Sequence, residues 1–204
     1  IRELGPQAHQ IKAGTPTMGG LLILFAILVP TLLWADLTNV YVWLVVAATS
    51  GYGVVGFLDD YLKVRRGRNL GLTAAQKALG QILVGSALGL AILFLPAGYG
   101  FNPTLTFPFF KQLVLNLSYF YIPFVVLVLF GVSNAVNLTD GLDGLAIGAT
   151  TVAAATYAVF TYIAGNRVIA NYLQISYVPG VGEVSVFCGA LVGAGLGFLW
   201  YNSH

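Results

Sequence analysis

The chain has 204 residues, of which 58% are hydrophobic and 8% charged, with a formal net charge of +2. A soluble domain carries about 25% charged residues, so this composition excludes one and implies an all-α, polytopic membrane protein. The near-neutral balance gives no reason to expect a nucleic-acid partner, and one cysteine, Cys188 in an apolar run, excludes a disulfide framework.

The chain opens on Ile1-Arg-Glu, without an initiator methionine, and stops just past an apolar run. It is therefore expected to be an internal fragment of a longer protein, forming one integral membrane domain over 1–204. The run Lys12-Ala-Gly-Thr-Pro-Thr-Met-Gly-Gly20 reads as a turn feeding a helix. Thr17 either caps that helix or, with Lys12, binds an anionic ligand at its start. The first expected span is Thr17–Trp34 and the second Val40–Leu58, each close to the roughly 20 residues that cross a bilayer.

Asp59 and Asp60 end the second span. Helix neighbours point about 100° apart, so one of the pair can face a site while the other pairs with a base. Adjacent carboxylates repel unless a cation is near. The alternative is an acidic pair that terminates a span and balances Lys63 and Arg65. Next comes Lys63-Val-Arg-Arg-Gly-Arg68, which reads either as a topology determinant or as a clamp for phosphate groups.

The third expected span is Leu72–Leu95. Thr104-Leu-Thr-Phe-Pro-Phe109 has the pattern of a short hairpin arm. The fourth span is expected over Leu113–Val136, with a kink at Pro123. It runs into Asn134-Ala-Val-Asn-Leu-Thr-Asp-Gly-Leu-Asp-Gly144, around which the rest is organised. Asn134, Asn137, Asp140 and Asp143 recur every third residue. On an ideal helix each such step turns about 300°, so four of them drift around the helix rather than forming one stripe. Gly141 and Gly144 let the backbone turn there and gather the oxygens. Oxygen ligands suit Mg²⁺, which takes one or two carboxylates plus phosphate oxygens and waters. Asn134 and Asp140 are the candidate metal ligands within the chain, and acids beside hydrocarbon are usually functional. The bland alternative is a polar inter-helix loop. The last spans are expected at Leu145–Ala164 and Val184–Tyr201.

Arg2, Lys12, Lys63, Arg65, Arg66, Arg68 and Lys77 fall on one side of this six-span arrangement, and Lys111 and Arg167 on the other. The positive-inside rule makes the first side cytoplasmic. Both acidic clusters lie there too. The outer loops are 35–39, 96–112 and 165–183. Small residues, Gly51, Gly53 and Gly56 in one helix and Gly189, Gly193, Gly195 and Gly197 in another, are expected to allow close helix approach.

Four segments carry a family likeness: Gly14-Thr-Pro-Thr-Met-Gly-Gly20, Gly56-Phe-Leu-Asp-Asp-Tyr61, Asn134–Ala146 and Gly193-Ala-Gly-Leu-Gly-Phe-Leu-Trp-Tyr-Asn202. With them the chain resembles the polyprenyl-phosphate N-acetylhexosamine-1-phosphate transferases over its whole length. The Thr-Pro-Thr-Met-Gly-Gly segment points to their phospho-N-acetylmuramoyl-pentapeptide transferase branch. The resemblance implies a ten-helix bacterial inner-membrane enzyme, of which this chain would be the second to seventh helices. It implies Mg²⁺-dependent transfer of phospho-MurNAc-pentapeptide from UDP-MurNAc-pentapeptide to undecaprenyl phosphate. The products would be lipid I and UMP, and this would be the first membrane step of peptidoglycan synthesis. Asp59 and Asp60 would sit at the reacting phosphates; the basic run Lys63, Arg65, Arg66 and Arg68 is expected from its position after them, not from the likeness, to meet the lipid phosphate. Asp140, Gly141, Leu142 and Asp143 would line the nucleotide site, with Asn134 and Asn137 behind them. Lys12, Thr17 and Asn202 would contact the nucleotide sugar. The main metal-binding aspartate and a His-rich loop are expected beyond residue 204. Membrane lipids are the surrounding partners, and the pattern leaves a homodimer open. Two other classes compete: a sister enzyme that uses UDP-GlcNAc, and a transporter, in which polar residues would sit at mid-bilayer on broken helices. Direct attack by the lipid phosphate and a two-step route through an aspartyl phosphate both remain open.

Overall fold

A computed structural model of the chain describes residues 19–66, 71–95, 97–99, 101–107, 110–139 and 144–202. The helices are α1 (Gly19–Trp34), α2 (Val40–Arg66), α3 (Ala74–Leu93), α4 (Tyr121–Thr139), α5 (Leu145–Gly165), a short α6 (Arg167–Tyr172) and α7 (Val184–Asn202). Each expected span has its helix. Five of them, α2, α3, α4, α5 and α7, are long and apolar enough to cross a membrane, and α1 is a shorter apolar helix. In hydrocarbon every backbone N–H and C=O must be bonded internally, and a helix does this within one segment. The chain is thus an all-α multi-pass bundle, with one β-hairpin as its extended part.

That hairpin pairs β1 (Thr104–Phe107) with β2 (Phe110–Asn116), antiparallel, from Thr104 opposite Asn116 to Phe107 opposite Phe110. Of the arm expected at Thr104–Phe109, Thr104–Phe107 forms β1 and 108–109 lie outside the described residues, while the partner strand takes residues that the fourth span was expected to use. Leu113-Val-Leu115 is too short an apolar run to separate strand from helix by periodicity. As a result α4 begins at Tyr121 and Pro123 lies in its first turn. A proline there removes no helical hydrogen bond, so the reason to expect a kink disappears. Among the described residues, the proline beyond a helix's first turn is Pro30 of α1.

The second span also differs. α2 does not stop at the acidic pair but runs 27 residues to Arg66. At 1.5 Å per residue it is about 40 Å long, roughly two turns more than a bilayer core of about 30 Å needs. Asp59 to Arg66 form that extension, held by pairing of Lys63 with acids three and four residues earlier. The next helix has a capping box: Gln76 N–H donates to Thr73 Oγ1, and Thr73 N–H donates to Gln76 Oε1.

The long helices pack in the order α5, α7, α1, α2, α3, α4. Close approach is set by glycines. A Cβ on Gly51 would meet Val84, one on Gly80 would meet Val55, and ones on Gly85 and Gly89 would touch the backbone of Val126 and Ile122. One on Gly195 would run into the Thr151 side chain. Gly51, Gly53 and Gly195 thus act as expected, whereas a Cβ on Gly56, Gly189, Gly193 or Gly197 would meet nothing.

The loops after α1 and α5 meet at one end of the bundle. Asp36 N–H donates to Glu183 Oε2 at 3.0 Å, and Asn39 Nδ2 donates to the Gly180 carbonyl at 2.7 Å. The rings of Tyr41 and Tyr99 meet edge to face there, so the turn after α3 lies at the same end. This clustering is what the expected alternation of loops requires.

Candidate functional site

The opposite end holds the α2 extension and the starts of α1, α3 and α5. Lys63 Nζ lies 2.7 Å from Asp59 Oδ2 and 3.0 Å from Asp60 Oδ1. One ammonium therefore supplies the cation that two adjacent carboxylates need. The two acids nevertheless face different ways, as helical geometry demands. The Asp59 side chain is 16% exposed and turns toward α3, where its Oδ1 accepts from Leu72 N–H at 2.8 Å. A Cβ on Gly71 would collide with that carboxylate, so the turn into α3 is closed around Asp59. Lys77, one turn into α3, brings a further positive charge near it. Asp60 is 51% exposed and borders a groove of about 220 Å³ with Gly20, Leu21, Leu24, Gly53 and Phe57. That groove continues as an apolar channel between α1 and α2 past Leu28 and Val54.

About one turn deeper along α3, Gln81 joins three helices by polar bonds. Gln81 of α3, 3% exposed, donates through Nε2 to Ser133 Oγ at 2.9 Å. Its Oε1 accepts from Asn134 Nδ2 at 3.0 Å, and Asn134 Nδ2 also donates to the Phe130 carbonyl at 2.8 Å. Tyr52 of α2 donates its hydroxyl to the Gln81 carbonyl at 3.2 Å. In hydrocarbon such groups have no water to fall back on, so each must find a protein partner.

The glycine contacts fix how the three helices are staggered. α2 and α3 meet at Val55 with Gly80 and at Gly51 with Val84; α3 and α4 meet at Gly85 with Val126 and at Gly89 with Ile122. Continued toward the site end, by one turn for α2 and α3 and by about two for α3 and α4, the same pairing brings Asp59 level with Gln76 and Lys77, and Lys77 level with Asn134. Asn137 follows one turn beyond Asn134 and is exposed. The end of α2 and the polar end of α4 therefore share one level at one end of the bundle.

Other expected residues are placed only through their neighbours or not at all. Lys12, Thr17, Arg68 and Asp140, Gly141, Leu142 and Asp143 lie outside the described residues. Arg65 is exposed on the last turn of α2, and Arg66 and Asn202 are the final residues of α2 and α7, with no side chain described. The flanks of 140–143 are described: Thr139 ends α4, and Gly144, at φ +82° where a side chain is strained, leads into α5 against Leu199 near the end of α7. A Cβ on Gly19, where α1 starts, would touch Phe198. The ends bearing Asp59, Asn137, Gly144 and Asn202 thus belong to the same side of the bundle. Sequence reasoning missed Gln81, Ser133 and Tyr52. A lone Gln inside an apolar span was the available signal, because an amide in hydrocarbon must bond to another helix.

Among the described residues no three His, Cys, Asp or Glu side chains gather closely enough to hold a metal by themselves. Mg²⁺ does not need such a cage, since it binds through one or two carboxylates plus phosphate oxygens and waters. The half-exposed Asp60, bordering a groove, fits as one such carboxylate, while the more buried Asp59 has a backbone donor and an ammonium as partners.

Comparison with known proteins adds an independent line. The glycosyl transferase family 4 model matches residues 42–204, and the phospho-N-acetylmuramoyl-pentapeptide-transferase signature 1 matches residues 12–24. A phospho-N-acetylmuramoyl-pentapeptide-transferase of Citrifermentans bemidjiense is 57% identical over 204 residues, covering 100% of this chain and 56% of the relative. Proteins of the same name from Oleidesulfovibrio alaskensis and Geobacter sp. are 58% and 57% identical, over 96% and 100% of this chain and 54% and 56% of theirs. The chain spans about half the length of the curated relatives it matches.

Proposed function

The chain belongs to glycosyl transferase family 4, and from that premise we propose that it is the acceptor-side and nucleotide-side core of a phospho-N-acetylmuramoyl-pentapeptide transferase. The reaction is transfer of phospho-MurNAc-pentapeptide from UDP-MurNAc-pentapeptide to undecaprenyl phosphate at the cytoplasmic face of the inner membrane. The single observation that carries this reading is the convergence of Asp59, Asp60 and Lys63 at the level of the amide end of α4. Two polar groups of different chemistry then meet where a helix leaves the bilayer, one for each substrate.

A phosphate monoester has a second pKa near 6 and is largely dianionic at pH 7, so the acceptor needs little help from a base. Bringing two anions together is harder and calls for fixed cations. Lys63 stands between two carboxylates and is held in place for that task, Arg65 is exposed on the same end of α2, and Arg66 and Arg68 follow it in the sequence. The lipid phosphate oxygen forms a bond to the sugar-linked phosphorus, while the bond from that phosphorus to UMP breaks and its electron pair leaves with UMP. Asp59 orients the acceptor; burial works against its charge, but Lys63 and Leu72 N–H hold its carboxyl below the usual range, so it stays ionised beside the reacting phosphates. Asp60 supports the cation. Mg²⁺, when bound, neutralises charge on the pyrophosphate. Asp143, with Asp140, Gly141 and Leu142, meets the nucleotide, where a carboxylate accepts hydrogen bonds from base or ribose but would repel phosphate. Lys12, Thr17 and Asn202 meet the sugar side.

The test is the full-length protein in undecaprenyl-phosphate vesicles with two donors, UDP-MurNAc-pentapeptide and UDP-GlcNAc, scored by UMP release. Release with the first donor alone is expected. Release with UDP-GlcNAc alone would make it the sister enzyme, and release with neither would end the reading.

A further inference from the structure

The Gln81 network has a consequence for the polarity of the site. Both hydrogens of Asn134 Nδ2 are engaged, one by Gln81 Oε1 and one by the Phe130 carbonyl. A backbone carbonyl accepts only, so the nitrogen is the atom that faces it. Gln81 is oriented in turn by Ser133, to which its nitrogen donates. The chain of bonds leaves Asn134 nothing to offer a ligand but Oδ1, an acceptor. Without Gln81, the amide keeps its bond to the Phe130 carbonyl but has one free N–H to offer, so it is no longer a pure acceptor. Gln81 itself is too buried to touch a substrate.

We propose that Gln81 is a positioning residue that presents Asn134 as a pure acceptor, so that this position selects an electropositive group: an N–H or O–H of the nucleotide, or a hard cation beside it. This rests on the nucleotide-side reading of Asn134–Asp143 given above. It accounts for a buried glutamine at a depth where an apolar residue would pack without needing partners. It also gives Asn134 a role different from the arginines: it attracts donors and cations, not phosphate oxygens.

The experiment uses the full-length protein in detergent and measures UMP binding, in EDTA and in Mg²⁺, alongside thermal stability. The variants are Gln81→Met, which removes the acceptor, and Gln81→Glu, which keeps an acceptor for Asn134 while Ser133 reverses to donate. Gln81→Met should weaken UMP about five- to tenfold, the loss of one oriented hydrogen bond. Gln81→Glu should stay within about threefold of wild type even if its melting temperature falls, because a buried carboxyl group is costly in a membrane. Loss in both buffers assigns the Asn134 acceptor to the nucleotide, and loss in Mg²⁺ alone assigns it to the cation. If Gln81→Met does not fold, Gln81→Asn, one methylene too short to reach Asn134, takes its place under the same criteria. A lowered melting temperature with unchanged UMP binding would overturn the proposal and leave the network as a helix clamp. Equal loss in the Met and Glu variants would overturn it as well. Wild-type protein that binds no UMP would instead remove the nucleotide-side reading itself, and the inference with it.

Discussion

The two ends of the bundle use the same residue types for opposite purposes. At one end Asp36 accepts from Thr38 N–H and its hydroxyl, Glu183 accepts from Asp36 N–H, and Asn39 donates to Gly180. These side chains are spent on neighbouring backbone or on their own turn, and the result is two loops stitched together, with the turn after α3 held to them by the Tyr41–Tyr99 ring contact. At the other end Asp59 and Asp60 share one ammonium, and the amides of α4 lie at their level. Among the described residues, Asp36 and Glu183 have only backbone and hydroxyl donors of the loops as partners, whereas Asp59, which also accepts from Leu72 N–H, shares an ammonium with its neighbour. Two carboxylates sharing one cation, one of them half exposed on a groove, retain capacity for a ligand. The difference separates a site from a loop tie, although the sequence shows acidic residues at both.

The largest effect should come from breaking the second end. In the full-length protein, Asp59→Asn should reduce kcat by about 10²-fold, the usual cost of misplacing a positioned group, because it loosens Lys63 and the turn into α3, with UMP affinity changed far less. An interaction made mainly in the transition state lowers kcat and kcat/KM together. Turnover within a few-fold of wild type would make Asp59 a structural group, like Asp36. Asp143→Ala should act on binding instead, weakening UMP by about 1.5–3 kcal/mol through lost charged hydrogen bonds. Titrations with UMP and a short polyprenyl phosphate separate this from neutralising Arg65, Arg66 and Arg68. The arginine variant should lose mainly the lipid, and more at low salt because exposed charges are screened.

Much of this division is visible in the residues before any coordinates. Hydropathy locates six apolar helices because lipid leaves the backbone few alternatives, and the alternation of basic residues assigns the ends. Local features were harder to read. The charged run after Leu58 resembles a terminus, yet α2 continues through it because Lys63 pairs with acids a turn behind. Leu113-Val-Leu115 reads as helix but pairs with β1, since so short a run carries no period. Gln81 was overlooked because its meaning depends on Ser133 and Asn134, about fifty residues away and adjacent only after α3 and α4 meet. The Asn134–Gly144 stretch reads as a candidate site in the sequence, but the hydrogen bonds that hold its first amide are not legible there.

Smaller effects sharpen the comparison. Gly195→Val should cost about 1–3 kcal/mol, read as a lower melting temperature, because its side chain meets Thr151 between α5 and α7. Turnover of the folded fraction should be nearly normal, as that contact is scaffold. Smallest of all, Glu183→Gln keeps an oxygen that can accept from Asp36 N–H, so stability should change by less than about 1 kcal/mol and kcat by less than about twofold. A large loss of turnover there would place chemistry at the wrong end.

The central claim is that the end of α2 and the polar end of α4 open on one side of the membrane, opposite the stitched loops. Full-length protein carrying Cys188→Ala and one of Asp36→Cys, Arg65→Cys or Asn137→Cys can be exposed in intact cells to a maleimide that does not cross membranes. The account predicts labelling of Asp36→Cys in intact cells, and of Arg65→Cys and Asn137→Cys only after the membrane is opened. Labelling of Arg65→Cys and Asn137→Cys from opposite sides would contradict it.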